Sequence, residues 1–160
     1  MEHVFGHQLT FTAMDLDVAV RLLMATLLGA VIGLEREAHG KEAGFKTYSL
    51  VCIGSALMMI VSVDVFMLFN GVATVDPGRI AAQAVTGIGF LGAGAIIRSQ
   101  QGSIRGLTTA AGIWCACALG LACGLGLYKQ AVFTTVLVMT VLIIFSKVQR
   151  KVLPRKPLGE

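Results

Sequence analysis

Two charged residues lie inside otherwise apolar stretches, and they are the first candidates for chemistry. Arg21 and Asp64 each lie about five residues in from the same boundary of an apolar segment. Charged side chains within a membrane span usually face the protein interior, where they pair with each other or with water. Two interpretations stay open: a structural Arg21–Asp64 ion pair whose arginine stem snorkels outward, or a proton or cation site at Asp64.

Two further polar residues extend this group. Asp76-Pro77-Gly78 is a turn, so Asp76 is expected to cap the next helix, and Arg79 and Gln83 fall in its first turns. Arg79 is a second candidate partner for Asp64. The sequence therefore predicts a polar intramembrane cluster, which consists of Arg21, Asp64, Arg79 and Gln83.

A second group of charges marks the opposite ends of the apolar segments. The predicted cytoplasmic face consists of Glu35, Arg36, Glu37, Lys46, Arg98 and Arg105. Glu35 and Glu37 are two residues apart, so they do not share a helix face. We expect a solvated helix end with local ion pairs, at which Mg²⁺ binds weakly at most. No other cofactor is expected.

Other motifs lack the context that their chemistry requires. The GxGxxG match at residues 87–92 has no preceding strand, which a dinucleotide site needs. The four cysteines lie in apolar runs without zinc-ligand spacing, and the three histidines form no hydrolytic set. We expect neither an enzyme nor a nucleic-acid-binding protein.

The composition is that of an integral membrane protein. Hydrophobic residues make up 56% of the 160-residue chain and charged residues only 14%, against about 25% charged in ordinary globular domains. Mean hydropathy is +0.80. The predicted fold class is an all-α membrane protein, a bundle of five transmembrane helices. The spans are predicted at about 16–34, 48–69, 80–97, 107–127 and 128–146.

The distribution of basic residues predicts the topology. Ten of the 13 basic residues lie between spans one and two, between spans three and four, or after span five. By the positive-inside rule these regions are cytoplasmic. Residues 1–15 would then be an extracytoplasmic segment, residues 16–146 the transmembrane domain, and residues 147–160 a basic cytoplasmic tail.

Small residues recur at helical spacing and predict close helix packing. The third span has two small faces, so it either lies centrally in the bundle or joins it to a second copy. We therefore expect a homo-oligomer, a dimer or higher. The predicted packing glycines are Gly29, Gly33, Gly87, Gly89, Gly92, Gly94, Gly112, Gly120 and Gly124.

Four blocks together resemble the MgtC/SapB family of bacterial inner-membrane proteins. The blocks are LLGAVIGLERE (27–37), AGFKTYSLVCIGSAL (43–57), RIAAQAVTGIGFLGAGAII (79–97) and IRGLTTAAGIWCACALGLACG (104–124). The resemblance implies a five-helix inner-membrane domain with a cytoplasmic C-terminus. Many members carry a soluble domain after the fifth helix, so this chain is expected to represent the membrane module alone.

The resemblance also implies a function. The family is associated with growth under magnesium limitation and, in pathogens, with survival in host cells. The resemblance implies a protein that modulates partner membrane proteins or the membrane's ion balance. Its implied partners are lipids and another membrane protein. The alternative is a Mg²⁺ or proton transporter or channel that uses Asp64 as its ligand.

Overall fold

The computed structural model describes residues 13–69, 74–98 and 103–152. Within them the protein is helical apart from one two-stranded ribbon, so the all-helical prediction is confirmed. In chain order the elements are α1 (Ala13–Ala38), α2 (Phe45–Phe69), α3 (Arg79–Gly94), β1 (Ile97–Arg98), β2 (Ile104–Arg105), α4 (Leu107–Gly124), α5 (Tyr128–Thr140), a π-helical turn (Val141–Phe145) and α6 (Ser146–Val152).

Four helical stretches of the described chain are long and apolar enough to cross a membrane. They are Met14–Ala38, Phe45–Phe69, Leu107–Gly124 and Tyr128–Val148, the last of which runs through the π-helical turn. Helix α3 has 16 residues, about 24 Å at 1.5 Å per residue, which is short of a hydrocarbon core of about 30 Å.

Helix α3 ends earlier than the sequence predicted. The predicted third span reached Ile97, but α3 stops at Gly94 and Ile97 lies in β1. Strand β1 pairs antiparallel with β2, with Ile97 opposite Arg105 and Arg98 opposite Ile104. Gly106 then has a positive φ of 89° before α4 begins, and a Cβ there would overlap the Ala95 carbonyl. Glycine therefore allows this close approach of the ribbon to the end of α3.

Helix α2 is the centre of the bundle. Its side chains Tyr48, Cys52 and Ala56 are completely buried, and they lie between small-residue faces of α1 and α4. Helix α3 packs on α2 and α4 through Ala81, Ala84 and Ile88. The sequence left open whether span three lies centrally in the bundle or joins it to a second copy. Within the described chain, α3 lies at the periphery of the bundle.

Candidate functional site

Arg21 joins α1 to the end of α4. Its Nη2 lies 2.6 Å from Oδ2 of Asp17, and its Nη1 donates a 2.7 Å hydrogen bond to the carbonyl oxygen of Gly124. A cation at this position compensates the partial negative charge of a helix C-terminus. The Arg21–Asp64 pair is not formed, because the nearer Asp17 and the end of α4 occupy the guanidinium.

The other members of the predicted polar cluster lie on the surface of the described chain. Asp64, Arg79 and Gln83 are all exposed, and within the described residues the Asp64 carboxylate has no ion pair. The structure therefore does not enclose these residues with Arg21 in a single buried site. Whether Asp64 acts in function stays a prediction.

The end of α2 near Asp64 is held by a residue that the sequence did not single out. Ser62, only 2% exposed, donates a 2.6 Å hydrogen bond to the carbonyl oxygen of Pro77. Oδ1 of Asp76 accepts a 2.8 Å hydrogen bond from the backbone N–H of Gly78. Asp76 thus shapes the turn before α3, and Ser62 fixes that turn against α2.

The opposite end of α1 carries a buried ion pair. Glu35 and Arg36 are only 9% and 4% exposed, with 3.5 Å between Oε2 of Glu35 and Nη1 of Arg36. The expectation of a solvated helix end was wrong for these two residues, because α1 continues to Ala38 and its last turn packs against the bundle. Local pairing of the charges was expected and is present.

His39 completes this cluster. Its Nδ1 lies 3.0 Å from Oε1 of Glu35, four residues earlier on the helix, and 2.9 Å from the Glu35 carbonyl oxygen. Sequence reasoning placed His39 outside the spans and assigned it no role. The i, i+4 spacing to Glu35 was the available signal.

Glu37 binds a backbone group, whereas Glu35 pairs with side chains. It is exposed, and its Oε2 accepts a 3.1 Å hydrogen bond from the backbone N–H of Phe45, the first residue of α2. A carboxylate near a helix N-terminus satisfies an otherwise unpaired N–H and is favoured by the helix dipole. Glu37 therefore links the end of α1 to the start of α2.

Tyr48 extends the buried polar region into the bundle. Its side chain is completely buried, and its hydroxyl donates a 3.4 Å hydrogen bond to the carbonyl oxygen of Thr109 at the start of α4. The ring lies against Gly112, where a Cβ would overlap the hydroxyl. The sequence pattern did not reveal this contact, because it joins residues 61 positions apart.

The buried arginine is incompletely paired. Within the described chain, Nε of Arg36 is buried without a hydrogen-bond acceptor, and the contact with Glu35 is long. Buried charged donors are costly unless they are satisfied. The last turn of α1 is therefore a polar site that water or a bound partner would stabilise.

These carboxylates do not form an obvious Mg²⁺ site. Glu35 faces a guanidinium and an imidazole, while Glu37 points to a backbone N–H. Among the residues whose positions are described, no three His, Cys, Asp or Glu side chains are grouped as metal ligands. The arrangement therefore suits charge pairing between these side chains and connection of α1 to α2.

The other predicted cytoplasmic residues are more peripheral. Lys46 is exposed in the first turn of α2, and Arg105 is exposed in β2. The backbone of Arg98 lies in β1 opposite Ile104, and its side chain lies outside the described part of the structure.

The predicted packing glycines divide into two groups. A Cβ on Gly29 would lie 2.7 Å from the Tyr48 carbonyl oxygen, and one on Gly33 would lie 2.8 Å from the Phe45 nitrogen. Glycines 112, 120 and 124 of α4 approach the other side of α2 equally closely. These five allow the backbones of α1 and α4 to contact α2.

The glycines of α3 have no such role within the chain. A Cβ on Gly87, Gly89 or Gly94 would meet nothing within 4 Å in the described structure, and one on Gly92 would meet only Ala110, at 3.8 Å. Phe90 on the same helix is 84% exposed. The glycine-rich face of α3 is therefore uncovered.

Comparison with known proteins gives one family. The model of the MgtC family matches residues 22–151. The "Putative magnesium transporter YhiD" of Escherichia coli K12 is 44% identical over 138 residues, which cover 84% of this chain and 63% of the relative. Protein SapB of Bacillus subtilis is 41% identical, with 88% and 61% covered, and Protein MgtC of Salmonella typhimurium is 42% identical, with 88% and 58% covered.

The chain thus spans about three fifths of the length of these curated relatives. No solved structure matches it.

Proposed function

The chain belongs to the MgtC family, and on that premise we propose that it modulates partner membrane proteins or the ion balance of the bacterial inner membrane. The processes concerned would be those linked to magnesium limitation. One relative carries the name "Putative magnesium transporter YhiD", and for this chain a relation to magnesium is part of the proposal. The proposal assigns it no enzymatic activity, no cofactor and no nucleic acid.

The packing of the bundle around α2 is the observation that supports regulation over transport. Between α1, α2 and α4 the helices meet at glycine backbones and at completely buried Cys52, Ala56 and Ala116. Asp64 lies outside this contact region, on the exposed surface of α2. A selective cation path would need oxygen ligands along its length, whereas the surfaces at which α1, α2 and α4 meet are formed largely by glycine backbones and small apolar side chains.

For the topology we propose five spans, with the N-terminus outside and the C-terminus in the cytoplasm. Four stretches meet the length and hydropathy expected of a span. Helix α3 would be a short fifth span, because a bilayer can thin locally around a helix at modest cost. The positive-inside distribution of basic residues supports the same orientation.

For the assembly we propose a homo-oligomer formed through α3. Its exposed face carries Gly89 and Ala93 four residues apart, the spacing of small residues that lets two membrane helices pack closely. A two-fold axis places the same face on both partners, so one helix supplies both halves of the contact. A different membrane-protein partner on this face is the alternative outcome.

One observation favours the alternative function. Asp64 is a carboxylate within a candidate membrane span, and in the described part of the chain no cation pairs with it. An unpaired charge at such a position is costly unless it meets water, an ion or a partner. A transporter or channel using Asp64 therefore stays the second candidate.

Reconstitution separates the two functions. Liposomes that contain only this protein are expected to show no Mg²⁺ or H⁺ flux above that of empty liposomes. Asp64→Asn tests the candidate ligand, and Lys129→Gln, which removes an exposed charge at the start of α5, is the control. Flux that Asp64→Asn abolishes and Lys129→Gln retains would refute the regulatory proposal.

A growth assay supplies the positive result. In a strain that lacks the gene, wild type and Asp64→Asn are both expected to restore growth in low magnesium. Failure of a stably folded Asp64→Asn protein, together with flux in the wild type, would support transport.

A further inference from the structure

A cleft of about 230 Å³ opens where the start of α2, the end of α3 and the start of α4 meet. Its apolar lining includes Val51, Leu91 and Ile113. At about 30 Å³ per liquid water, its volume corresponds to roughly eight waters. It can therefore hold a small headgroup or the end of a side chain, but not a whole lipid.

The polar lining of the cleft consists of oxygen groups. Glu42, Thr47 and Thr109 bring a carboxylate and two hydroxyl groups to the lining, and none of the described residues that line the cleft is basic. Over the described ranges, neither the carboxylate of Glu42 nor the hydroxyl of Thr47 has an ion pair or a hydrogen bond. The cleft therefore presents oxygen acceptors that no described residue occupies, and one negative charge.

This lining is complementary to a primary ammonium group. A –NH₃⁺ group has three N–H donors and accepts none, so three oxygen acceptors around a negative charge match it. An anion would be repelled by Glu42. A hydrated Mg²⁺ ion holds its waters tightly, and the apolar side of the cleft would give those waters no partners.

Charges beside the cleft indicate which ammonium it would receive. Lys46 precedes Thr47 in the first turn of α2, and Arg105 lies in β2 four residues before Thr109; both are exposed. A zwitterionic phospholipid headgroup carries an ammonium and a phosphate a few bonds apart. Since α2 and α4 are candidate spans, their first turns lie at the depth where headgroups occur.

We propose that this cleft binds the ammonium headgroup of phosphatidylethanolamine, with the ammonium on Glu42, Thr47 and Thr109 and the lipid phosphate on Lys46 and Arg105. Choline lipids would bind the cleft more weakly, because a quaternary ammonium has no N–H to donate. The cleft would bind this lipid whether the protein regulates or transports.

Native mass spectrometry of the detergent-solubilised protein tests the proposal. The protein is mixed with phosphatidylethanolamine or phosphatidylcholine of identical acyl chains. We expect the ethanolamine lipid to bind about tenfold more tightly, since its ammonium donates hydrogen bonds to a charged acceptor and the choline headgroup donates none. Equal binding of the two lipids would overturn the proposal.

The variants localise the site. Glu42→Gln is expected to reduce the preference to near unity, and Thr47→Val to reduce it several-fold. Asp64→Asn, which removes an exposed acid at the other end of α2, is the matched control and should retain the full preference. Retention of the preference in both cleft variants, each checked by its elution profile, would disprove the assigned site.

Competition identifies the source of the ammonium. Free ethanolamine at the same concentration is expected to displace little of the lipid, since it lacks the phosphate that Lys46 and Arg105 would bind. If free ethanolamine displaced bound phosphatidylethanolamine as effectively as more of the lipid does, the lipid proposal would be overturned in favour of a soluble amine. Displacement by Mg²⁺ at equal concentration would instead indicate a cation site.

Discussion

Helices α3 and α4 are both rich in glycine, yet they use it differently. Gly112, Gly120 and Gly124 of α4 lie against the backbone and side chains of α2, whereas Gly87 and Gly89 of α3 meet nothing within 4 Å in the described chain. Both helices have the spacing of small residues typical of membrane helix contacts. Such spacing therefore indicates a contact surface without identifying its partner surface.

The largest expected effect separates the two helices directly. Gly120→Leu should prevent folding, because even a Cβ would lie 2.8 Å from the Ser55 Cβ and would overlap the Cys52 carbonyl; overpacking costs about 1–3 kcal/mol or more. The matched Gly87→Leu should leave the fold intact. Yield of monodisperse protein and its thermal unfolding temperature measure both. Equal yields of the two variants would remove the distinction.

The next prediction concerns the uncovered face of α3. If a second copy covers the face of Gly89 and Ala93, Gly89→Leu should reduce cross-linking between copies in membranes while the protein stays folded, since a bulky side chain would hold the helices apart. Gly87→Leu and Gly94→Leu, on the other small face of the helix, should reduce it less. Trp114→Ala, on an exposed part of α4 (55% exposed), is the control. Unchanged cross-linking in all three would place the interface elsewhere.

A smaller effect is expected where α1 holds the end of α4. Arg21→Met keeps the aliphatic stem but removes the hydrogen bond to Gly124 and the pair with Asp17. The loss should be about 1–2 kcal/mol, since a cation at a helix C-terminus contributes on that scale in a partly buried setting. Thermal unfolding in detergent measures it. Because Lys129 is exposed, Lys129→Met controls for the lost charge and should have no effect.

The smallest effect is expected at the start of α4. Tyr48→Phe removes the 3.4 Å hydrogen bond to Thr109 and should destabilise the fold by at most about 1 kcal/mol. Tyr128 is the matched control, because its buried hydroxyl has no hydrogen-bond partner in the described structure. Tyr128→Phe should be neutral or slightly stabilising. A larger loss at Tyr128 than at Tyr48 would contradict this account of α4.

Local sequence patterns predicted most of the helices but not the partners of their charged residues. Helix α2 ends at Phe69, where its span was predicted to end, and α4 and α5 begin where theirs were predicted to begin. The bounds of α3 were less accurate, because glycine, alanine and isoleucine near residue 95 allow helix and strand alike. The ribbon there depends on its pairing with β2, which is not a local property.

The charged residues show the same limit. Arg21 lies in an apolar stretch, and this suggested Asp64, the other charge within a span, as its partner. Its partner in the structure is Asp17, one turn away on the same helix. Glu35 and Arg36 were expected in solvent, since they end an apolar run. Their burial depends on the way the last turn of α1 packs, and no spacing within α1 predicts that.

By itself the sequence determined that the chain is a helical membrane protein of the MgtC family, and it located the small-residue faces. Composition and helical period are sufficient for this, because lipid requires every backbone group to bond within its own helix. Only the tertiary structure decided that α2 lies between α1 and α4, that Arg21 binds the end of α4, and that α3 keeps an uncovered face. These are contacts between residues distant in the chain, and their energies depend on which surfaces meet.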